Sequence, residues 1–409
     1  MSLLSRMTAP TVAHDVADLV HTLLSRHAGA APARLPGGGV PRGTTPTAIR
    51  AAATVPTGPT GLGTSAARIP PARPTGDAPR TAPAGTSPRG LYCPPALRDD
   101  PELAAEVNER LLEWADDVGI YAGRLDRVRA ADFGRLVMLA HPGADDPDRL
   151  LAAARCALAE WATDDYYCDD EAAAGTALTE LGSHLGLAYT AMDPTHPPVG
   201  RMPALEKGLR ADPVRVALRS GFEHLARYAD WTQIARLRAE IAVLFVGYGQ
   251  EGSWRSQDRM PAVWEYLAHR QINSFVPCLA VIDVVDGHPL TAAEYDDPRV
   301  RRAVVMAGTA STLVNDLYSM AKEHDASGPE YNLPQVIAAE ERCSLREAVD
   351  RSVDIHNELV RTFEAEAAAL SFTGSPSLGR FLAGVWAWLG GNREWHSGSA
   401  RYAGADEAG

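Results

Sequence analysis

The stretch that decides the fold is DDPRVRRAVVMAGTASTLVNDLYSMAKEHD, residues 296–325. It opens with Asp297 and Pro298, a capping acid followed by a proline in the first helical turn. Its apolar residues then recur at helical spacing. The same signature opens DPELAAEV at 100–107 and DPDRLLAAA at 146–154. These segments therefore predict long amphipathic helices.

Helical spacing continues through nearly every periodic segment after residue 98. Alternating strand patterns and Asn-Gly hairpin signals are nearly absent, and no internal repeat is evident. We therefore predict an all-α fold, a single helical bundle of about ten or more helices. The folded domain is expected to span residues 90–409, which is long enough for one sizeable core.

Residues 1–89 have a different composition, because they hold 13 of the 30 prolines and many Gly, Ala and Thr residues. Few large apolar side chains are available there to offset the entropy cost of ordering the chain. This segment is predicted to be a disordered tail. It lacks the basic region and continuous apolar run of a secretory signal.

Composition also limits the possible environments and partners. The net charge of −13 argues against nucleic acid as a partner. The sequence contains no run of 18 apolar residues, so no membrane span is expected. The five cysteines are odd in number and unclustered, which argues against a disulfide framework or a zinc site. A reducing, cytoplasmic location is therefore expected.

The 296–325 helix carries a possible metal-binding face. Asn315, Ser319 and Glu323 occur four residues apart, so they share one face and rise by roughly 6 Å per step. All three offer oxygen, the ligand atom that Mg²⁺ prefers. Gly308 and Ser311 lie earlier on that face, and their small size predicts open space beside the helix. A solvated polar stripe would produce the same pattern.

A second oxygen-rich segment is DDYYCDD, residues 164–170. It follows a predicted helix, at the end where the helix dipole disfavours carboxylates. Asp165 and Asp169 are one turn apart, and Asp164 lies about 100° round the helix from Asp165. Bound divalent cations would offset this repulsion. A frayed acidic terminus is the alternative, although the two tyrosines and the cysteine are poor choices for one.

A third feature is the apolar segment EYLAHRQINSFVPCLAVID, which contains Pro277. The proline ring collides with the carbonyl of Asn273, so the helix is predicted to break near Asn273 and Ser274. The break would free a backbone carbonyl close to Arg270. An ordinary proline kink is the simpler interpretation of this feature alone.

Together these features predict a site for a prenyl diphosphate. Two oxygen-rich faces are accompanied by Arg270, Lys322, Arg401 and Tyr402 as cationic or hydroxyl donors. An Mg²⁺ cluster flanked by Arg and Lys suits a diphosphate, and the apolar helical body suits a prenyl chain.

The order and spacing of the four motifs resemble those of class I terpene synthases of the bacterial type, over residues 90–405. They are the acidic motif, the Asn315–Ser319–Glu323 pattern, an arginine 45 residues before it and an Arg-Tyr pair 86 residues after it. The resemblance implies that Asp164, and Asp165 or Asp169, bind two Mg²⁺ ions and that the Asn/Ser/Glu face binds a third. The resemblance also implies that Arg270 senses the diphosphate and that Asn273 and Ser274 relay its arrival to the substrate. The diphosphate would be bound by Lys322, Arg401 and Tyr402.

The resemblance further implies 2-methylgeranyl diphosphate as substrate and 2-methylisoborneol, formed by cyclisation and water capture, as product. A 2-methylenebornane-forming enzyme or a cyclase for farnesyl diphosphate is the alternative. A chain-elongating prenyltransferase would require a second Asp-rich motif, and a non-catalytic scaffold would leave the spacing of the motifs unexplained. A homodimer is expected by analogy with family members.

Overall fold

The computed structural model describes residues 90–170, 180–193, 195–323 and 331–398, without the side chains of residues 169–170 and 321–323. Every regular element in these ranges is a helix, so the all-α prediction is confirmed. The α-helices are α1 Pro101–Val118, α2 Leu125–Ala131, α3 Phe133–Ala140, α4 Pro147–Asp164, α5 Leu181–Met192, α6 Met202–Arg210, α7 Pro213–Leu225, α8 Trp231–Ser256, α9 Val263–Ile272, α10 Val276–Leu279, α11 Ile282–Val285, α12 Ala292–Tyr295, α13 Pro298–Glu323, α14 Leu333–Glu341, α15 Leu345–Thr373 and α16 Pro376–Gly398. The predicted tail, residues 1–89, lies outside the described residues.

The Asp-Pro signatures begin helices as predicted. Asp100 accepts a hydrogen bond from the backbone of Leu103 at 3.1 Å, and α1 is capped at its C-terminal end by Gly119, whose φ of 82° favours glycine. Asp146 caps α4 in the same manner. The side chain of Asp297 accepts a bond of 2.8 Å from the amide of Arg299 at the start of α13. Local capping by an aspartate therefore sets the residue at which each of the helices α1, α4 and α13 begins.

The helices enclose one large apolar core. Helix α13 packs against α15 and α16, while α4 packs against α1 and α7. The short helix α10 follows the predicted break and contacts both α4 and α13. This short helix therefore connects the helix that precedes the acidic motif with the helix that carries Asn315. No helix in the described ranges is long and apolar enough to cross a membrane.

Candidate active site

The acidic segment is an anchored turn, and the frayed terminus considered above is not what the structure shows. Helix α4 passes at Asp164 into a π-helical segment, Asp165–Asp170, and such segments are frequent at functional sites. The ring of Tyr167 is buried, and its hydroxyl donates a 2.8 Å hydrogen bond to Asp212. The buried Tyr167 therefore anchors the backbone that presents the acids.

Asp164 and Asp165 are both half-buried, with different neighbours. Asp165 accepts a 2.7 Å hydrogen bond from the hydroxyl of Tyr121. Asp164 lies close enough to Tyr248 that its charge, after burial, helps to raise the pKa of that phenol. The side chain of Asp169 is not described, so the surroundings are known for only two of the three predicted acidic ligands, Asp164 and Asp165.

The second predicted face lies on α13. Ser319 is buried, and the side-chain amide of Asn315 lies 3.3 Å from Nε2 of His396. Glu323 is the last residue of α13, and its side chain and that of Lys322 are not described. The predicted diphosphate-binding residues Arg401 and Tyr402 also fall outside the described ranges.

The open space predicted beside Gly308 is wrong. A Cβ atom at this position would lie 2.5 Å from Cγ2 of Val276 and 3.2 Å from its backbone nitrogen. Position 308 requires glycine because the segment after the helix break packs directly on α13. Ser311 is likewise fully buried and accepts a hydrogen bond from the indole of Trp388 at 3.2 Å. Small residues here permit close packing.

The helix break places one residue in contact with both helices that carry or precede the predicted metal-binding residues. Helix α9 ends at Ile272, and α10 begins at Val276, as the position of Pro277 predicts. Between them, the ring of Phe275 lies 5.4 Å from that of Trp161 on α4. The backbone amide of Phe275 donates to the hydroxyl of Thr312, one turn before Asn315 on α13. One residue therefore joins the helix that leads into the acidic motif to the helix that bears Asn315.

Arg270 is buried beside the same helix. Its Nη2 donates to Oδ1 of Asp316 at 2.7 Å, and its Nε donates to the hydroxyl of Tyr266 at 2.7 Å. The side chain of Asp316 is only 1% exposed and that of Arg270 is 10% exposed, so this ion pair is largely enclosed. The Nη1 atom makes no hydrogen bond to the described residues and remains able to donate to a ligand.

Asn273 and Ser274 lie at the break, as predicted. The Asn273 amide lies 3.4 Å from a carboxylate oxygen of Glu251, and the Ser274 hydroxyl contacts the carbonyl of Gln271 at 3.5 Å. Burial alone would raise the pKa of Glu251, but a hydrogen bond from His269 and the charges of Arg255 and Arg270 lower it to about 2. A persistent negative charge therefore stands beside the break.

Sequence reasoning missed Asp316, Glu251 and Tyr248 as neighbours of the site. Asp316 directly follows Asn315 and could have been found as an acid on the buried side of an otherwise apolar helix. Glu251 and Tyr248 share one face of α8, three residues apart, and no motif marks them. Only tertiary packing brings these side chains to Arg270 and Asp164.

Beneath the aromatic residues lies a small pocket with room for about one water molecule. Its wall is mainly apolar, but Glu160 of α4 also lines it and is 4% exposed. Burial raises the pKa of Glu160 to about 8, so this carboxyl is mostly protonated at neutral pH. The pocket thus has a polar group on an apolar wall.

The chain belongs to the terpene synthase family. Residues 156–362 match the family model described as terpene synthase family 2, C-terminal metal binding. Together with the all-helical fold, this membership makes the protein a class I terpene cyclase.

Relatives of this chain include 2-methylisoborneol synthases. The synthase of Streptomyces ambofaciens is 41% identical over 350 residues, which cover 83% of this chain and 78% of the relative. That of Saccharopolyspora erythraea is 42% identical over 318 residues, 76% of this chain and 89% of the relative. The crystal structure of the Streptomyces coelicolor A3(2) synthase with Mg²⁺ and 2-fluoroneryl diphosphate aligns with a TM-score of 0.73 at 40% identity, covering 79% and 99% of the two chains.

Replacing Glu160 with glutamine should raise the free energy of unfolding at pH 8 and have little effect at pH 4. Below its unfolded pKa near 4.5, Glu160 is protonated in both states. Between 4.5 and about 8 only the unfolded state releases the proton, so stability falls as pH rises. At 1.36 kcal/mol per pKa unit, the gain at pH 8 is roughly 3–5 kcal/mol at most. Urea unfolding at both pH values measures it, and equal gains at both would contradict the burial of a neutral carboxyl.

Proposed function

We propose that this protein is an Mg²⁺-dependent cyclase that converts 2-methylgeranyl diphosphate and water into 2-methylisoborneol and diphosphate. The observation that carries this proposal is the identity of 41–42% to 2-methylisoborneol synthases over most of both chains. A farnesyl diphosphate cyclase, the (+)-T-muurolol synthase of Streptomyces clavuligerus, is only 30% identical over 320 residues. The difference in identity favours the methylated monoterpenoid substrate.

The metal-binding residues of the proposal are Asp164 with Asp165 or Asp169, and Asn315, Ser319 and Glu323. Their donors are carboxylate, amide and hydroxyl oxygens, which fit Mg²⁺. Phe275 contacts both α4 and α13, which supports a single cluster between the two faces. Three Mg²⁺ ions would neutralise the leaving diphosphate and draw negative charge away from the reacting carbon.

The diphosphate itself is proposed to contact Arg270, Lys322, Arg401 and Tyr402. Arg270 is held in place by Asp316 and Tyr266 on two of its nitrogens, which leaves Nη1 to donate to a phosphate oxygen. A guanidinium already oriented by protein groups loses little further entropy when it binds an anion. Asn273 and Ser274, at the break after Arg270, are proposed to transmit diphosphate binding to the prenyl chain.

Aromatic rings form the wall on which a carbocation would develop. Phe275 contacts the rings of Trp161 and Trp388 at 5.4 and 6.0 Å. Each aromatic face stabilises a nearby cation by about 0.5–2 kcal/mol. Apolar rings also offer no nucleophile, so the cation cyclises before it is quenched.

The test is incubation of the full chain with 2-methylgeranyl, geranyl or farnesyl diphosphate, with Mg²⁺ or with excess chelator. We expect 2-methylisoborneol from the first substrate at a kcat/KM at least about tenfold above those of the others, since one methyl group in an apolar pocket contributes about 1–3 kcal/mol. Full activity in chelator would refute the metal requirement. A hydrocarbon as sole product, or preference for farnesyl diphosphate, would refute the proposed product or substrate.

Three further features belong to the proposal: a cytoplasmic location, a homodimer and a dispensable segment 1–89. The cysteines are odd in number and do not cluster in the sequence, which supports a reducing compartment. The composition of residues 1–89 supports a tail with no part in the catalytic core.

A further inference from the structure

The pocket beneath the aromatic residues lies at a definite depth below the predicted metal site. On α4, Asp164 precedes the π-helical turn, and Glu160 is one turn deeper, about 6 Å along the axis. On the neighbouring segment, Phe275 packs against the rings of Trp161 and Trp388, and Pro277 and Cys278 line the pocket. Trp388 closes it from α16. The pocket would therefore adjoin the hydrocarbon part of a prenyl diphosphate bound at the predicted metal site.

Two polar side chains line this otherwise apolar pocket. Glu160 makes no hydrogen bond or ion pair with the described residues, and burial is the cause of its raised pKa. The imidazole of His141 is 1% exposed, and neither ring nitrogen has a hydrogen-bond partner among the described residues. A buried polar group without a partner costs about 1–3 kcal/mol, whereas a water molecule between two such groups satisfies both.

A route for a proton leads from His141 away from the metal site. Nδ1 of His141 lies 3.9 Å from Oδ1 of Asp286, and that oxygen also has no hydrogen-bond partner among the described residues. The Asp286 side chain is 16% exposed, so it reaches solvent. Burial and, to a smaller extent, the charge of Asp283 raise the pKa of Asp286, whereas the charge of Arg98 lowers it. Behind the pocket there is thus a buried base backed by a partly exposed carboxyl group.

We propose that Glu160 and His141 hold the water molecule that captures the cyclised carbocation, and that His141 accepts the released proton and passes it through Asp286 to solvent. This inference rests on the proposed function. The water oxygen gives an electron pair to the cationic carbon, so one C–O bond forms. The resulting oxonium loses one proton to the neutral imidazole, and the products are an alcohol and an imidazolium that Asp286 balances.

The protonation states of the two side chains suit these roles. Burial lowers the pKa of His141 to about 3, with a smaller effect of Arg98, so the imidazole is neutral and able to accept a proton. The neutral Glu160 carboxyl can hydrogen-bond to water without presenting an anion to the cation. An ionised carboxylate at this depth would instead attack the cation and form an ester. A positioned neutral pair therefore favours water as the nucleophile.

The experiment compares Glu160→Leu and His141→Leu with Glu160→Gln, which retains hydrogen-bonding groups, and with Cys278→Ala, which alters the apolar wall of the same pocket. Each variant receives 2-methylgeranyl diphosphate and Mg²⁺, and both diphosphate release and the ratio of alcohol to hydrocarbon products are measured. We expect the ratio to fall at least about tenfold in the two leucine variants, with diphosphate release within about threefold of wild type. The glutamine and alanine variants should keep the wild-type ratio within about threefold.

An unchanged product ratio in both leucine variants would overturn the inference while leaving the proposed function intact. A wild-type enzyme that forms no alcohol would overturn both. If the leucine variants do not fold, a crystal structure of the wild-type enzyme with Mg²⁺ and 2-fluorogeranyl diphosphate decides the matter. A water molecule within hydrogen-bond distance of both Glu160 and His141 supports the inference, and its absence from that position overturns it.

Discussion

Replacing Asp164 with alanine should lower turnover of 2-methylgeranyl diphosphate at least about a thousandfold and leave the fold intact. The side chain is half-buried at the end of α4 and is no part of the apolar core, so its loss costs little packing. The loss of a metal ligand, in contrast, removes several kcal/mol of stabilisation from the departing diphosphate, and each 1.36 kcal/mol is tenfold in rate. We expect the same of Glu323→Ala.

The chain supplies a matched control for this experiment. Asp116 and Asp117 form a second acidic pair near the end of a helix, in the sequence EWADDVG, where both are exposed. Asp117→Ala therefore changes charge in a similar local context without touching the site, and its turnover should equal that of wild type. Steady-state rates over a range of Mg²⁺ concentrations, with circular dichroism for the fold, make the comparison. Wild-type turnover in Asp164→Ala would contradict the predicted metal site.

The fold was predictable because its signals are local. An Asp-Pro pair followed by helical periodicity marks the starts of α1, α4 and α13, and each helix begins where its proline lies. The break after α9 follows in the same way from the steric demand of Pro277. Capping and proline geometry depend on a few neighbouring residues, which a single sequence contains.

The site was predictable only in its periodic parts. The one-turn spacing of Asn315 and Ser319 places both on one helix face, whatever the rest of the protein does. The fully buried Asp316 partner of Arg270 and the approach of Val276 to Gly308 depend on contacts between distant segments. The π-helical turn at Asp165 is also set by the burial of Tyr167 against Asp212. No local pattern specifies such contacts.

The pairing of Arg270 with Asp316 changes how an arginine substitution must be interpreted. Arg270→Ala would remove a diphosphate-binding group and would also leave the carboxylate of Asp316, 1% exposed, without its cation. Breaking a buried ion pair from one side costs about 3–5 kcal/mol because the remaining charge is uncompensated. Lost activity in that variant would therefore not establish a role in diphosphate binding.

We expect Arg270→Ala to lower the free energy of unfolding by about 3–5 kcal/mol, and Arg270→Lys by less, because lysine keeps a cation beside Asp316. Arg302→Ala removes a largely exposed arginine that pairs with the partly exposed Glu366 on another helix, and it should cost less than about 1 kcal/mol. Urea unfolding measures all three. Turnover of Arg270→Lys should still fall at least about tenfold, since an ammonium cannot bind Tyr266, Asp316 and a phosphate oxygen in the fixed geometry of a guanidinium. An Arg270→Ala variant as stable as Arg302→Ala would show that the buried pair does not support the fold.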